Sequence, residues 1–496
     1  MQLQWEKTLI SAMGVAVREV QNQEQTLEVR LAEDMPDIGH IICGWGQPLL
    51  RGKDWNGDSM SVSGGIMAWV LYAPEDGSDP RCVEGWLPFQ LKWNLPKTEH
   101  DGVIRCDILL RSMDARVLSA RKMMLRAQIS AMGEALESQE VACVSCGEVP
   151  QHIQLKEQRF PVLVQAEAGE AAIGVDEDIS ISGVKPRKII SCTLQSKLSE
   201  QKVVGSRVIF RGDCTVHLIY FGEDDRIYSR DLTVPFAQYA QLDRDYDKQA
   251  TAEAILATSS LEPELTQDGL RLKCSLVCQY TIEEQHLIES VQDAYSTQHE
   301  MQYSIQETIL PAVLDQRTER RSIQQTGPGE AGETIDTICF LEQPVIRRNG
   351  ANADIQINGA VQVLSRDENG KYHASLVRFA DQWSVCAQDN EALQLVAAPV
   401  DRPYATFAGD GMEVRCDLDV RLCAMAQQTI PQISMIEVGQ PLPRHQDRPS
   451  LILRRPGDAS LWDLAKRCRS TVEQIRQVNA IEDAPQKDKM LLIPIS

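Results

Sequence analysis

The chain repeats itself with a period near 147 residues, and no other feature limits its fold as strongly. One segment runs Ile41-Ile42-Cys43, Gly64, Trp69-Val70-Leu71-Tyr72 and Leu87-Pro88-Phe89; a second runs Ile189-Ile190-Ser191, Gly212, His217-Leu218-Ile219-Tyr220 and Val234-Pro235-Phe236. Ile41 to Gly64 and Ile189 to Gly212 are both 23 positions, and both glycines precede their tyrosine by eight. A third, more degenerate copy keeps Gly359 and Phe379 but shortens the hairpin between them and loses the tyrosine and the proline. Its Asp410-Gly-Met-Glu-Val-Arg-Cys416-Asp-Leu418 matches Asp268-Gly-Leu-Arg-Leu-Lys-Cys274-Ser-Leu276 of the second. A unit this long is a whole domain rather than a solenoid turn.

Each copy reads as strands. Cys214–Tyr220 and Gly359–Leu364 alternate apolar and polar residues with period two, as half-buried strands do. Turn clusters follow at Pro74-Glu-Asp-Gly77, Gly222-Glu-Asp-Asp225 and Asp367-Glu-Asn-Gly370, where Asp, Asn and Gly tolerate positive φ. The expected fold class is mainly β: three sandwich-like repeats at 1–136, 153–295 and 303–437, then a small βααβ module at 449–496. Polar or proline-bearing stretches at 137–149, 296–333 and 438–450 read as linkers between tethered domains.

Charge narrows the partners. Against 50 Lys plus Arg stand 71 Asp plus Glu, a net charge of −21, which excludes general nucleic-acid binding because no basic face can release phosphate counterions. The last 48 residues differ, with 8 Lys plus Arg against 6 Asp plus Glu; their net +2 leaves −23 for the rest. Thr8–Val17 is too short for a membrane span and lacks the flanks of a signal peptide, so a cytoplasmic protein is expected.

The fourteen cysteines are mostly scattered along apolar strands, as reduced, half-buried small hydrophobes. Cys143-Val-Ser-Cys146 with His152 supplies too few zinc ligands and reads as an inert linker pair, so no metal site is assigned. Catalysis has little to work with: GxxxxGK[ST], HExxH and GxSxG are all absent. Asp224-Asp225 and Glu283-Glu284 read as solvated carboxylate pairs, and His217 as a packed or solvent-facing strand residue. No catalytic residue and no cofactor is assigned.

In the terminal module Leu451-Ile-Leu453 forms a strand, and Ser460 caps a helix with Leu461, Leu464, Ala465 and Cys468 on one face. Ser470-Thr-Val-Glu473 reads as a capping box for a second helix with Val472, Ile475 and Val478 inward, and Met490–Pro494 closes as a strand. Pro456-Gly457-Asp458, Leu461-Trp462-Asp-Leu-Ala465, Val472-Glu-Gln-Ile475, Asn479 and Leu491-Leu-Ile-Pro494 together resemble the LysM family over 449–496. That resemblance implies a shallow groove for N-acetylglucosamine polymers such as peptidoglycan, between 457–461 and 479–484. By position its residues are Gly457, Asp458, Ser460, Leu461, Asn479 and Ile481. In the family's Gly-Asp-Thr-Leu-Trp loop Ala459 and Ser460 here replace the single Thr, adding a residue, and Asp488 stands for its glycine before the last strand, which favours a protein interface over sugar. Trp462 is expected in core or rim packing, with Leu461, Ile475 and Ile493 also critical to the fold. Arg454, Arg455, Lys466 and Arg467 are the basic candidates for partner contact.

The Gly-to-Tyr strand, the acidic turn and the following Pro-Phe make the upstream copies similar to SPOCS domains of endospore-forming bacteria, clearly in the first two and weakly in the third. SPOCS repeats ending in one LysM module resemble spore-coat morphogenetic proteins. The resemblance implies a non-enzymatic assembly factor in the mother-cell cytoplasm, at the forespore surface. Its implied partner is the spore-coat morphogenetic ATPase SpoIVA, engaged through the LysM module.

Overall fold

The computed structural model describes residues 5–96, 102–147, 149–267, 269–329, 332–408, 411–443, 450–455, 457–481 and 490–495. The chain is mainly β, and its strands fall into three sets. The first repeat holds β1 (Trp5–Arg30), β2 (Ile38–Asn56), β3 (Ser59–Pro74), β4 (Arg81–Asn94), β5 (Val103–Ser119) and β6 (Lys122–Cys146). The second holds β7 (Ile153–Ser180), β8 (Pro186–Val204), β9 (Arg207–Gly222), β10 (Ile227–Gln241), β11 (Thr251–Leu265) and β12 (Gly269–Ser296). The third holds β13 (His299–Pro328), β14 (Glu333–Leu341), β15 (Val345–Asn349), β16 (Asn352–Arg366), β17 (Tyr372–Cys386), β18 (Glu391–Pro399), β19 (Tyr404–Ala408) and β20 (Gly411–Pro441).

Each repeat is built the same way. A meander forms one antiparallel sheet, in the orders β2-β3-β4, β8-β9-β10 and β14/β15-β16-β17. The first, last and penultimate strands form the other, β1-β6-β5 in the first repeat, β7-β12-β11 in the second, and β13-β20 with β18 and β19 in the third. Their inner faces share a core, as Val62, Phe89, Leu125 and Ile129 do in the first repeat. The register repeats with the sequence. Gly64 lies opposite Phe89, Gly212 opposite Phe236 and Gly359 opposite Phe379. A Cβ on these glycines would stand 2.7, 2.8 and 2.4 Å from the phenylalanine ring, so each ring covers the bare backbone of its glycine. Irregularities repeat too: β2 shifts register at Ile38/His40, Ile41/Cys43 and Leu50/Gly52, and β8 at Pro186/Lys188, Ile189/Ser191 and Leu198/Glu200, each 148 positions on. Bulges conserved between copies are built features that re-aim a strand. The three expected turns occur, with positive φ at Gly77, Asp225 and Gly370.

Two linker expectations are overturned. Residues 137–146 complete β6, and most of 296–333 is the 30-residue strand β13. Their polarity misled because these strands expose alternate positions, so they look loop-like in sequence. The repeats are accordingly packed together rather than tethered. β7 meets β13 at Leu163 and Val313, joining the second and third repeats into one seven-stranded sheet. The far halves of β1/β6, β7/β12 and β13/β20 also pack on one another. Ser290 Oγ donates to the Pro431 carbonyl (2.5 Å), and Gln432 Oε1 accepts the Val144 N–H (3.0 Å).

The expected βααβ module is present, as β21 (Leu451–Arg454), α1 (Leu461–Cys468), α2 (Val472–Asn479) and β22 (Leu491–Pro494), with β21 antiparallel to β22. Ser460 caps α1 and forms a full capping box with Asp463. The cap of α2 is Thr471 rather than the first residue of the expected box, and Val478 faces outward. Leu464, Ala465, Ile475, Leu491 and Ile493 make the module's core.

Candidate functional site

The terminal module does not hang free. Trp462 and Lys466 are four apart on α1, hence on one face, and that face meets the end of β12 and the start of β13. Trp462 Nε1 donates to Asp293 Oδ2 (2.7 Å) and Lys466 Nζ to Asp293 Oδ1 (2.6 Å). Tyr303 Oη donates to the same carboxylate (2.7 Å). Tyr295 packs edge-on against Trp462 with ring centroids 4.9 Å apart, and its hydroxyl donates to the Ser470 carbonyl (2.8 Å). Burial alone would push the Asp293 carboxyl up, but the hydrogen bonds from Lys466, Trp462 and Tyr303 together hold it below its ordinary range. A single carboxylate therefore clamps the module to the repeats.

This geometry sorts the residues singled out in the sequence. Trp462 and Lys466 are spent on the clamp, so Lys466 is not a free contact, and Trp462 packs at the rim of the module's core while also meeting Tyr295 of the repeats. Arg454, Arg455 and Arg467 are exposed. β21 and β22 display Leu451, Leu453 and Leu492, each 40% exposed or more, on the face turned away from the helices, whereas Arg454 alternates onto the other face and its Nη1 donates to Cys468 Sγ (3.8 Å). In the expected groove Gly457, Asp458 and Ser460 are exposed, Leu461 is buried and Ile481 packs partly on the core. Asn479 serves the fold: its Nδ2 donates to the Leu492 carbonyl (2.6 Å) and its Oδ1 accepts the Leu492 N–H (2.8 Å), as a neighbouring strand would. Residues 482–484 of the groove lie outside the described residues.

A second polar centre, which sequence reasoning missed, ties the three repeats together. Asp336 on β14 is 2% exposed. It accepts Trp45 Nε1 of the first repeat (2.9 Å), bonds His217 Nε2 of the second (2.7 Å) and pairs with Arg402 of the third. His217 Nδ1 bonds Asp231 (2.7 Å). Burial depresses the His217 pKa, but Asp336 and the hydrogen bonds of both carboxylates raise it to about 8; in return His217 and Arg402 outweigh burial at Asp336 and hold its carboxyl at about 2. Around them Trp45, Trp69, Ile219, Phe221, Leu364 and Tyr372 form a core drawn from all three repeats. Only tertiary packing joins residues 119 and 291 positions apart, so no local motif could announce the cluster.

Two further readings change. Glu283 is not solvated: it is 2% exposed within β12, and burial beside Glu253 lifts its pKa to about 7. Cys274 and Cys278 are buried strand residues, whereas Cys386 is exposed.

Fold and site together define a mainly β repeat protein with a docked βααβ module. No protein-family model, no curated protein and no solved structure matches the chain.

Proposed function

We propose that the chain is a non-enzymatic spore-coat assembly factor, similar to the clostridial spore-coat morphogenetic protein SipL. It acts at the forespore surface in the mother-cell cytoplasm, and its LysM-like module docks onto the coat morphogenetic ATPase SpoIVA. The observation that carries this reading is the surface of the docked module. An exposed apolar strip of Leu451, Leu453 and Leu492 is followed along the chain by the exposed Arg455, while Asn479 and Trp462 are occupied within the protein itself. Apolar anchors beside arginine suit a protein partner. The acidic repeats, which share one body, supply scaffold area and opposite charge.

The test is co-purification with the ATPase from sporulating cells, with the full chain, a chain lacking residues 449–496, and Arg454→Glu/Arg455→Glu. Capture by the full chain alone supports the reading; undiminished capture by the charge-reversed chain refutes the role of the arginines. The alternative is peptidoglycan binding, favoured by the exposure of Gly457 and Ser460 in the groove loop. Sedimentation of the full chain with insoluble peptidoglycan, lost on deleting residues 449–496, would select it instead.

A further inference from the structure

We propose that the seam between the second and third repeats carries an anion site that takes a phosphate group. The seam holds a cleft of about 170 Å³ at the starts of β10 and β14. Among the described residues β10 pairs only with β9 and β14 only with β16, so each presents an edge that no strand covers. Three guanidinium groups line it: Arg226 and Arg230 at β10, and Arg366 at the end of β16.

The edge of β10 adds donors among its groups. The Ile227 N–H leaves β10 on the side away from β9 and donates to Tyr372 Oη (3.0 Å). Alternate residues of a strand share a side, so the Ser229 N–H is directed the same way. Because the Tyr372 oxygen already accepts, its proton remains to be donated. Arg230 bonds the Ser229 carbonyl of its own strand (3.2 Å), and Arg366 the Gly370 carbonyl (3.4 Å). Neither forms an ion pair among the described residues, and Arg226 approaches Asp224 only to 3.9 Å. Among the described residues Glu333 is the one carboxylate of the lining; behind it Asp224 accepts the Tyr228 hydroxyl (2.7 Å) and Asp336 the Ser229 hydroxyl (3.5 Å). The lining itself therefore carries three cations and one carboxylate, in a chain of net charge −21. Guanidinium forks with hydroxyl and backbone donors are the groups that recognise phosphate, and the cleft is too small for a drug-sized ligand.

The probes are inorganic phosphate and pyrophosphate, titrated calorimetrically into the full chain at constant ionic strength, with sodium chloride and sulfate as further arms. The expected result is saturable binding of pyrophosphate with one site per chain. A matching rise in melting temperature with ligand concentration should accompany it. Arg230→Gln and Arg366→Gln should each weaken binding about tenfold or more. Arg187→Gln should leave it unchanged, since Arg187 is an exposed arginine outside the cleft that pairs with Asp225. Arg230 is itself exposed, so its replacement leaves the fold intact. Absence of saturable binding at millimolar pyrophosphate overturns the proposal. So does binding insensitive to Arg230→Gln and Arg366→Gln, or an equal response to chloride.

Discussion

Replacing Asp336 with Asn removes one negative charge from the place where the three repeats meet. The side chain keeps its size and can still accept from Trp45, but His217 and Arg402 lose their shared counter-charge in a site only 2% exposed at Asp336. Breaking a buried pair by removing one partner costs about 3–5 kcal/mol, because the other charge stays buried and uncompensated. Asp231 still faces His217 and Arg402, which places the expected loss at the lower end, about 3 kcal/mol. The wild-type centre also has a pH signature. The folded His217 pKa of about 8 lies above its ordinary 6.5, so its stabilisation is full below pH 6.5 and disappears as pH rises through 8. That difference corresponds to about 2 kcal/mol. The assay is urea unfolding followed by circular dichroism at pH 6 and pH 9, for wild type, Asp336→Asn, His217→Gln and the double variant. Wild type should be more stable at pH 6 than at pH 9, with the dependence much reduced in Asp336→Asn. The two single losses should sum to more than the loss in the double variant, because each already breaks the Asp336–His217 pair. A loss under about 1 kcal/mol at pH 6, or an unchanged pH dependence, would refute the reasoning.

Asp293→Asn should release the terminal module without unfolding the repeats, seen as a red-shifted Trp462 emission and faster proteolysis within 442–450; the docking should weaken by about 1–3 kcal/mol. Gly212→Ala should cost more than about 3 kcal/mol, because its new Cβ would lie 2.1 Å from the Lys197 backbone oxygen, which cannot yield as a side-chain tip can; thermal unfolding checks this. Glu283→Gln should stabilise the protein at pH 8 by up to about 3 kcal/mol and have little effect at pH 4. Its folded pKa of about 7 lies above the ordinary 4.5, so ionisation opposes folding as pH rises, and a difference that does not grow between pH 4 and 8 would contradict this.

Much of the architecture was legible because it is local. Period-two alternation marks β9 and β16, positive-φ residues mark the turns at Gly77, Asp225 and Gly370, and an N-cap with an i, i+3, i+4, i+7 face marks α1. The matched Gly–Phe spacing was read as a repeat landmark before its cause was visible, which is the ring of Phe236 lying over Gly212. β13 was missed for a physical reason. Much of its length is exposed on one or both faces, so its stability comes from pairing with β20 and leaves little apolar pattern of its own.

The sequence by itself determined three copies of one β unit, a βααβ module at the end, and an acidic body with a mildly basic terminus, because spacing, alternation and charge are properties of the chain alone. Tertiary structure decided that the copies form one body, that Trp462 and Lys466 are consumed by Asp293, that Asn479 closes a strand edge, and that Asp336 joins all three repeats. Each of those facts depends on a partner far away in sequence, and burial and pairing at such distances exist only once the chain has folded.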